Sequence, residues 1–465
     1  MIDPVILSKL DPSQIREITR LQDHRPEVDA NALASLMADG IFDRSLITAN
    51  LLKATEMLGP FAVDKGKRIW HYSEGVWLPD GYEELTRRVL FCTGRRYRMD
   101  HVTQAASIVK SRTPQINGLG PKNLINVRNG MLNWKTLEVV EHDSKYLSTY
   151  QLNASWDLNA LCPTIDSWMA SMYEPDIVKL LWQVLGVVIH PGLGFQKAVV
   201  LLGNGLNGKG TFLRLCQSFL PDSAFSSVDP NLLGPTTNRF AAADLFGKTA
   251  NICGDIERLT ISSTAEFKKI TGGDTIRGER KNEHGFNFLS EATPLFSGNK
   301  MPKSHDTSYG WFRRWLIIPM DRRIEGVPDP TINQKLAKEL DGALVQAVMA
   351  LRGAMEQGDY DNPDKCKKAL QAYEYSNNTS ALFINEKLDF AESHKTPLSR
   401  TDLFDNYFLF CKERDLEPGK RHEFYDTLEQ LGGNKVTTHW AKKSTGANDR
   451  GYNGIQIKPS FGDTF

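Results

Sequence analysis

Hydrophobic and polar positions divide the chain into regions with different periodicities. Residues 1 to about 60 repeat apolar side chains at helical spacing, as in the stripe from Leu33 to Ile41. The pattern then alternates around residues 73–75 and again around the dipeptide Asn129-Gly130, which predicts two β-hairpins separated by a helical segment at residues 82–111. The first third of the chain is therefore predicted to be a mixed α/β module.

The middle of the chain alternates strands with helices. Residues 156–189 predict helices that lead into an apolar strand at residues 198–202. From there to about residue 321 the predicted order is strand, glycine-rich loop, helix, strand, helix, hairpin and two strands, which implies a parallel sheet with right-handed crossovers. Apolar residues from Ile332 to Met355 then predict one long amphipathic helix that ends at Gly358.

The C-terminal hundred residues predict a separate small unit. Residues 401–415 and 420–433 have the pattern of two helices, and residues 436–458 predict two strands around a long basic loop. Two helices followed by a strand pair with a charged loop are typical of a winged helix. Such a unit binds duplex DNA or docks onto another protein.

Composition excludes several classes of protein. Lys plus Arg and Asp plus Glu are both 56 among 465 residues, so any nucleic-acid site must be a local basic patch. The 6 cysteines have no metal-binding spacing and are expected to be buried thiols. The longest apolar region, residues 180–202, is interrupted by polar residues, and the N-terminus does not resemble a secretory signal. A cytoplasmic protein without a membrane anchor is expected.

The stretch LLGNGLNGKGTFL, residues 201–213, fits the phosphate-loop pattern G-x-x-x-x-G-K. Glycines let several backbone N–H groups approach one phosphate, and the following helix directs its positive end at the same place. Gly210 occupies the usual position of a magnesium-binding hydroxyl, which here comes one residue later at Thr211. The alternative is a glycine turn that binds no nucleotide. The predicted nucleotide-binding residues are Gly203, Asn204, Gly205, Asn207, Gly208, Lys209, Gly210 and Thr211.

Two later strands end in polar residues that suit the same chemistry. Asp255 follows an apolar strand and is predicted to hold Mg²⁺ through water, with Thr211 as a second metal ligand. Glu257 is a weaker candidate for polarising the attacking water, and both acids could instead cap a strand end. Asn299 ends a third strand, where its amide can orient the attacking water, although an asparagine is also common in turns.

Basic residues are candidates for two further roles, catalysis at a neighbouring subunit and contact with DNA. Arg313 and Arg314 precede an apolar strand and are either surface charges or, in an oligomer, a finger that reaches the γ phosphate of the neighbouring subunit. The residues predicted to contact DNA lie in and before the hairpin and in the C-terminal unit: Lys269, Arg280, Lys281, His284, Lys420, Arg421, Lys442 and Lys443.

Together these motifs resemble the superfamily 3 helicases, specifically the phage and plasmid primase-helicase branch that is related to the poxvirus primase-helicase. The shared order is the phosphate loop, the acidic strand end, the stretch Lys-x-x-Gly-Gly-Asp at residues 269–274, the asparagine and the arginine pair. The segments WHYSEGVW and NVRNGMLNW look like the domain that precedes the motor in this family. The chain departs from the family at Gly254, where a second acid is common.

The resemblance implies an α/β fold with an AAA+-like P-loop NTPase core. It also implies ATP and Mg²⁺ as cofactors and a homohexameric ring that translocates on single-stranded DNA and acts on forked DNA during replication of a phage or mobile element in a bacterial cytoplasm. A separate primase or polymerase is an expected partner. The predicted domains are an N-terminal mixed α/β domain (1–155), a helical collar (156–190), the ATPase core (191–325), a helical connector (326–390) and a winged helix (391–465).

Two other functions are compatible with the same residues. The Gly-Lys-Gly-Thr sequence also occurs in small-molecule kinases, but a kinase needs an acceptor pocket and a phosphate-binding lid, and here the chain places a basic hairpin. A replication initiator or loader could instead use nucleotide binding as a switch, because Gly254 weakens the acidic strand end. A helicase would hydrolyse ATP faster in the presence of single-stranded DNA.

Overall fold

The computed structural model describes residues 2–24, 28–39, 44–192, 194–233, 240–256, 261, 264–281, 285–304, 306–323, 329–391, 393–394, 396–414 and 416–458. They form two compact units, one of residues 1–257, 263–300 and 318–363 and the other of residues 258–262, 301–317 and 364–465. The prediction of a mixed α/β fold with a parallel sheet is confirmed. Within the described part of the chain, no helix combines the length and the apolarity that crossing a membrane requires.

The first unit opens with a helical layer and a small sheet, as the sequence predicts. The helices bury one apolar cluster together with the first strand, and a tight turn with positive φ at Glu74 (47°) and Gly75 (87°) joins the second and third strands. The predicted helical segment at residues 82–111 is two helices, because Gly94 takes φ 50° between them. The elements are α1 (Pro4–Leu7), α2 (Pro12–His24), α3 (Ala30–Asp39), α4 (Arg44–Met57), β1 (Phe61–Asp64), β2 (Ile69–Ser73), β3 (Val76–Leu78), α5 (Gly81–Thr93), α6 (Met99–Arg112) and β4 (Gln115–Ile116).

The second hairpin forms, but its turn is one residue earlier than predicted. Val127 pairs with Gly130, so the two loop residues are Arg128 and Asn129. The Asn129 side chain accepts a hydrogen bond from the Trp156 N–H at 2.9 Å and donates to the Trp156 carbonyl at 3.0 Å. The asparagine therefore fixes the hairpin to the segment that follows. The strands are β5 (Leu124–Val127), β6 (Gly130–Asn133) and β7 (Val139–Val140).

The central sheet has the strand order β14-β8-β13-β10-β9, and the pairs β8–β13, β13–β10 and β10–β9 are parallel. Its inner strands are almost completely buried because helices pack on them, which explains their continuous apolar sequences. The hairpin β11–β12 is antiparallel. The elements are α7 (Pro163–Met172), α8 (Pro175–Ile189), β8 (Ala198–Leu202), α9 (Lys209–Phe219), β9 (Phe225–Ser226), β10 (Ala250–Cys253), α10 (Thr264–Gly272), β11 (Thr275–Gly278), β12 (Phe286–Leu289), β13 (Thr293–Gly298), α11 (Tyr309–Phe312) and β14 (Trp315–Pro319).

The prediction of one long helix from Ile332 to Met355 is wrong. The structure contains two helices there, α12 (Ile332–Leu336) and α13 (Leu340–Gln357). Glu339 interrupts them with a non-helical backbone. Its carboxylate accepts hydrogen bonds from the N–H groups of Thr164 (2.9 Å) and Ile165 (3.1 Å) at the start of α7. Capping another helix thus outweighs continuation of the apolar stripe. Gly358 ends α13 with φ 84°, as predicted.

The second unit has an aromatic core. Phe383, Tyr407 and Phe424 lie together, and the rings of Tyr407 and Phe424 stack at 4.7 Å. The two helices predicted for the C-terminal region are confirmed, and three strands follow them rather than two. The elements are α14 (Asp364–Asn377), α15 (Thr379–Lys387), β15 (Leu388–Phe390), β16 (Leu398–Ser399), α16 (Arg400–Glu413), α17 (Arg421–Gly432), β17 (Thr437–Lys442), β18 (Asn448–Asn453) and β19 (Ile455–Ile457).

Candidate functional site

The glycine-rich loop between β8 and α9 has an unusual backbone. Gly205, Leu206 and Gly208 take φ angles of 96°, 51° and 79°. A leucine in the left-handed region is rare because its Cβ crowds the backbone, and such strain persists mostly at functional sites. Residues 204–206 are exposed, whereas residues 207–209 are buried. The loop therefore presents its strained part to the solvent and fixes its other end inside the protein.

Three hydrogen bonds hold this loop in place. The Gly203 N–H donates to the Gly298 carbonyl at 3.1 Å, and the Asn207 amide donates to the Met320 carbonyl at 2.7 Å. The Tyr173 hydroxyl donates to the Asn207 carbonyl at 3.1 Å. A Cβ on Gly208 would lie 2.3 Å from that hydroxyl oxygen, whereas one on Gly205 would meet no atom within 4 Å. The loop is thus tightly packed on the protein side and open at Gly205.

Lys209 is the first residue of α9 and is only 5% exposed. Its Nζ donates to the Gly203 carbonyl and, at 3.1 Å, to Asn207 Oδ1. Burial lowers the pKa of this ammonium, and the nearby charge of Asp255 partly opposes that shift. A buried cation with two neutral acceptors and the N-terminus of a helix beside it favours the approach of an anion.

Asn299 comes directly after β13, Asp255 lies two residues beyond the end of β10, and both are exposed. Because β8, β13 and β10 are consecutive parallel strands, their carboxyl ends share one edge of the sheet with the glycine loop. The structure therefore brings Lys209, Asp255 and Asn299 to the same edge. β13 lies between β10 and β8, so Asp255 is not on the strand adjacent to the loop.

Ser297 fixes the backbone at Asp255. The Asp255 N–H lies 3.3 Å from Ser297 Oγ, and the Ile256 N–H donates to the Ser297 carbonyl at 2.8 Å. Asp255 itself takes φ 51°, which aspartate tolerates better than most residues. A buried serine on one strand thus positions the carboxylate at the end of the next.

The residues at this edge suit a magnesium nucleotide. Thr211 and Asp255 offer hydroxyl and carboxylate oxygens, which are the donors that Mg²⁺ prefers. In the described part of the chain no three histidine, cysteine or acidic side chains cluster, so phosphate and water oxygens would have to complete the coordination. A Cβ on Gly254 would lie 3.7 Å from its nearest neighbours, and one on Gly210 would lie 3.4 Å from its nearest neighbour, the end of the flexible Arg214 side chain. Sterics therefore do not impose either departure from the family pattern.

The predicted DNA-binding residues near the hairpin have different environments. Lys281 is exposed, and Lys269 on α10 is exposed and bonded to Glu266 at 2.8 Å. The sequence predicts Arg280 as a DNA contact of the hairpin, but its side chain is only 16% exposed and lies 3.3 Å from the buried carboxylate of Asp64. The predicted residues His284 and Glu257 lie outside the described residues.

Arg313 and Arg314 lie in the second unit, where α11 leads into β14. The segment is anchored by Tyr373, whose ring lies 5.6 Å from that of Phe312 and whose hydroxyl donates to the Pro302 carbonyl at 2.8 Å. Arg314 donates to the carbonyl of Gly310. The segment that contains Arg313 and Arg314 is therefore held in place by its contacts with Tyr373.

The basic residues of the C-terminal region are mostly on its surface. Lys420 and Lys442 are exposed, Lys443 is half-buried, and Trp440 is 69% exposed on β17. Arg421 is also exposed, and its guanidinium donates to the Tyr425 hydroxyl at 3.1 Å and to the Thr401 hydroxyl at 3.2 Å. Contact of these residues with DNA stays a prediction.

Three residues of this region have no recognisable sequence signal. Tyr173 and Ser297 position the loop and Asp255 through hydrogen bonds between segments far apart in sequence. Asp64 ends the short strand β1, for which the sequence pattern makes no separate prediction. Motif spacing identifies residues that would contact a ligand, whereas partners of this kind become visible only in the fold.

Two segments of the chain match known protein families, and the fold is similar to that of solved structures. The chain is similar to the D5 N terminal like family over residues 61–174. Residues 201–314 match a family of unknown function (DUF5906). No curated protein sequence matches the chain significantly. Two apo structures of the NrS-1 C terminal region have TM-scores of 0.51 and 0.52 at 11% identity, covering 87% of this chain and 98% of those chains, which indicates a shared fold.

The two sequence matches cover the regions that carry the predicted resemblance. The D5 N terminal like match contains both hairpin segments. The second match begins in β8 and ends at Arg314, so it spans the glycine loop, Asp255, the hairpin and Asn299.

Proposed function

We propose that the chain is an ATP-dependent DNA motor of phage or mobile-element replication, related to the phage primase-helicases, which translocates on single-stranded DNA as a ring. One observation carries this proposal: a strained, amide-rich glycine loop, a buried lysine, an aspartate and an asparagine share the carboxyl edge of three consecutive parallel strands. This edge is where ligands bind in open α/β sheets.

Each residue of the edge has a definable task. The loop N–H groups and the N-terminus of α9 bind the phosphates, and Lys209 exchanges its carbonyl and amide acceptors for phosphate oxygens. Magnesium ATP supplies the phosphoanhydride bond that water cleaves. Asp255 and Thr211 would hold the metal, and the exposed Asn299 amide orients the attacking water, since it can both donate and accept a hydrogen bond.

The hairpin connects hydrolysis to DNA in this proposal. Its apolar face, formed by Ile276, Phe286 and Phe288, is buried against residues 241–246, whereas Lys281 at its end is exposed. Lys281 can therefore contact a phosphate backbone while the base of the hairpin stays attached to the core. Contacts of this kind carry no sequence information, so movement along DNA would be largely independent of sequence.

The proposed function is tested by the steady-state ATPase rate of the purified chain with and without an oligo-dT strand. We expect hydrolysis that single-stranded DNA accelerates several-fold, as in a motor whose DNA contacts are coupled to its active site. A nucleotide-switched loader would have little turnover in either condition. A small-molecule kinase would be indifferent to DNA, and either result would contradict the proposal.

Arg313 and Arg314 provide a test of subunit cooperation. An arginine that acts on the neighbouring site should be complemented when its alanine variant is mixed with Lys209→Ala protein. In random equal mixtures about one quarter of the junctions combine an intact lysine with an intact arginine, so about that fraction of wild-type ATPase should return. Subunit exchange is first verified with differently labelled protein. Lack of recovery with both arginine variants would contradict a shared site.

A further inference from the structure

The turn between β1 and β2 is a basic element that the sequence motifs do not include. It reads Lys65-Gly66-Lys67-Arg68, and its three cationic residues are exposed. Asp64 closes the turn, because its N–H donates to the Arg68 carbonyl and its carboxylate accepts from the Arg68 N–H, both at 3.0 Å. Lys67 takes φ 66°. The cations are therefore presented on a fixed backbone.

The same aspartate holds this turn beside the hairpin. Arg280 approaches the Asp64 carboxylate at 3.3 Å, and its guanidinium lies 4.8 Å from the centre of the Phe286 ring. A Cβ on Gly66 would lie 2.8 Å from the Arg280 guanidinium and 3.6 Å from the Phe286 ring. The turn and the hairpin thus pack against each other with no space for a side chain between them, and Lys281 is the next residue.

A cleft of about 630 Å³ continues this surface. Lys248 lines it together with Arg68 and Lys281, and the Lys248 Nζ donates to the Ser223 carbonyl at 2.7 Å. Burial and the charge of Arg68 lower the pKa of Lys248, and Asp244 opposes them. Cations held together in a partly desolvated cleft repel each other, so an anion bound among them is stabilised. The ring of Phe240, 39% exposed, lies at the same cleft.

Charge balance on this surface favours a polyanion. Among the described residues, Lys65, Lys67 and Lys281 form no ion pair, and the acidic side chains of the cleft are Asp244 and Glu279.

We infer that the turn at residues 65–68, Lys248 and Lys281 form one binding surface for the phosphodiester backbone of single-stranded DNA. The inference deepens the proposed function and rests on it, since it adds the N-terminal module to the DNA path. Phe240 offers a face on which a base can stack.

The test removes the charge of the turn and keeps its backbone. The variant Lys65→Gln/Lys67→Asn/Arg68→Gln retains the Asp64 contacts, and asparagine tolerates positive φ at position 67. Binding of fluorescein-labelled oligo-dT is followed by anisotropy at several salt concentrations. We expect roughly tenfold weaker binding and a salt dependence of log K that is shallower by about 2, because each lost phosphate contact removes about 0.7. The ATPase rate without DNA should not change.

A matched control removes three exposed cations from the same unit through Lys53→Gln/Lys110→Gln/Arg112→Gln. This control should bind DNA like the wild type. Equal binding by the turn variant, or equal weakening by the control, would overturn the inference while leaving DNA-stimulated hydrolysis by the wild type in place. Failure of the wild type to bind oligo-dT or to hydrolyse ATP would instead reject the proposed function. Turn-dependent binding of polyglutamate without binding of oligo-dT would identify an acidic protein as the partner and overturn the inference.

Discussion

Lys209→Ala is expected to lower ATP hydrolysis by a factor of about 1000, which is the upper range for removing one charge-stabilising group from an active site. The reason is that Lys209 is the one cation in the glycine-rich loop, residues 203–211, and its position is fixed by the Gly203 carbonyl and Asn207 Oδ1. Alanine removes the ammonium but keeps the helix start, where it is a good helix former. The rate of phosphate release at saturating ATP provides the measurement.

The fold of this variant should persist, because the loop keeps its bonds to Gly298 and Met320. Circular dichroism and thermal unfolding check that point. Lys179→Ala is a suitable control, since this lysine on α8 is 69% exposed and paired with Asp361. Its loss should leave turnover unchanged. A folded Lys209→Ala protein that hydrolyses ATP within a few-fold of the wild-type rate would exclude the glycine loop as the site of catalysis.

Local signals in the sequence predict much of the fold. The alternation around Glu74 and the glycine run before Lys209 identify a hairpin and a strand-loop-helix element, and both are present. These features depend on residues close together in the chain, where backbone preference and apolar periodicity act directly. The stop at Gly358 follows the same logic, because glycine alone takes φ 84° without strain.

Features that depend on contacts between residues far apart in the sequence are either not predicted or predicted incorrectly. The break at Glu339 serves the start of α7, about 175 residues earlier in the chain. Arg280 looks like a hairpin tip residue until the fold brings Asp64 to it. The position of β13 between β8 and β10 also follows from sheet topology rather than from any one segment. In each case a tertiary contact, which no window of sequence contains, decides the outcome.

The Arg280 contact changes how the hairpin would move in a motor. The hairpin is joined to the N-terminal module through a buried carboxylate, so a shift of Lys281 would carry the turn at residues 65–68 with it. A neutral net charge is compatible with this arrangement because the cations are concentrated locally. The grip on DNA would then come from two segments that move together.

Asp64→Ala is expected to lower the free energy of unfolding of the first unit by about 3 kcal/mol, because breaking a buried ion pair leaves its partner charge without compensation. The Asp64 side chain is completely buried and accepts from the Arg68 N–H, the Trp70 indole N–H (3.3 Å) and Arg280. Asp64→Asn keeps one oxygen acceptor, enough for one of the two N–H groups that bond to different carboxylate oxygens, and should lose less. Urea denaturation followed by circular dichroism measures the differences between variants.

Asp80→Ala is the matched control for this prediction, since Asp80 is a carboxylate of the same module that is half exposed and pairs with His71 and Arg87. Its loss should cost less than about 1 kcal/mol, as is usual for surface pairs. If Asp64→Ala costs no more than this control, the Arg280 contact does not hold the turn and the hairpin together. If Asp64→Ala lowers the free energy of unfolding by the expected amount, the variant should also bind oligo-dT more weakly, because Lys281 and the turn would no longer share one fixed surface. Binding is measured at urea concentrations below the unfolding midpoint of the variant.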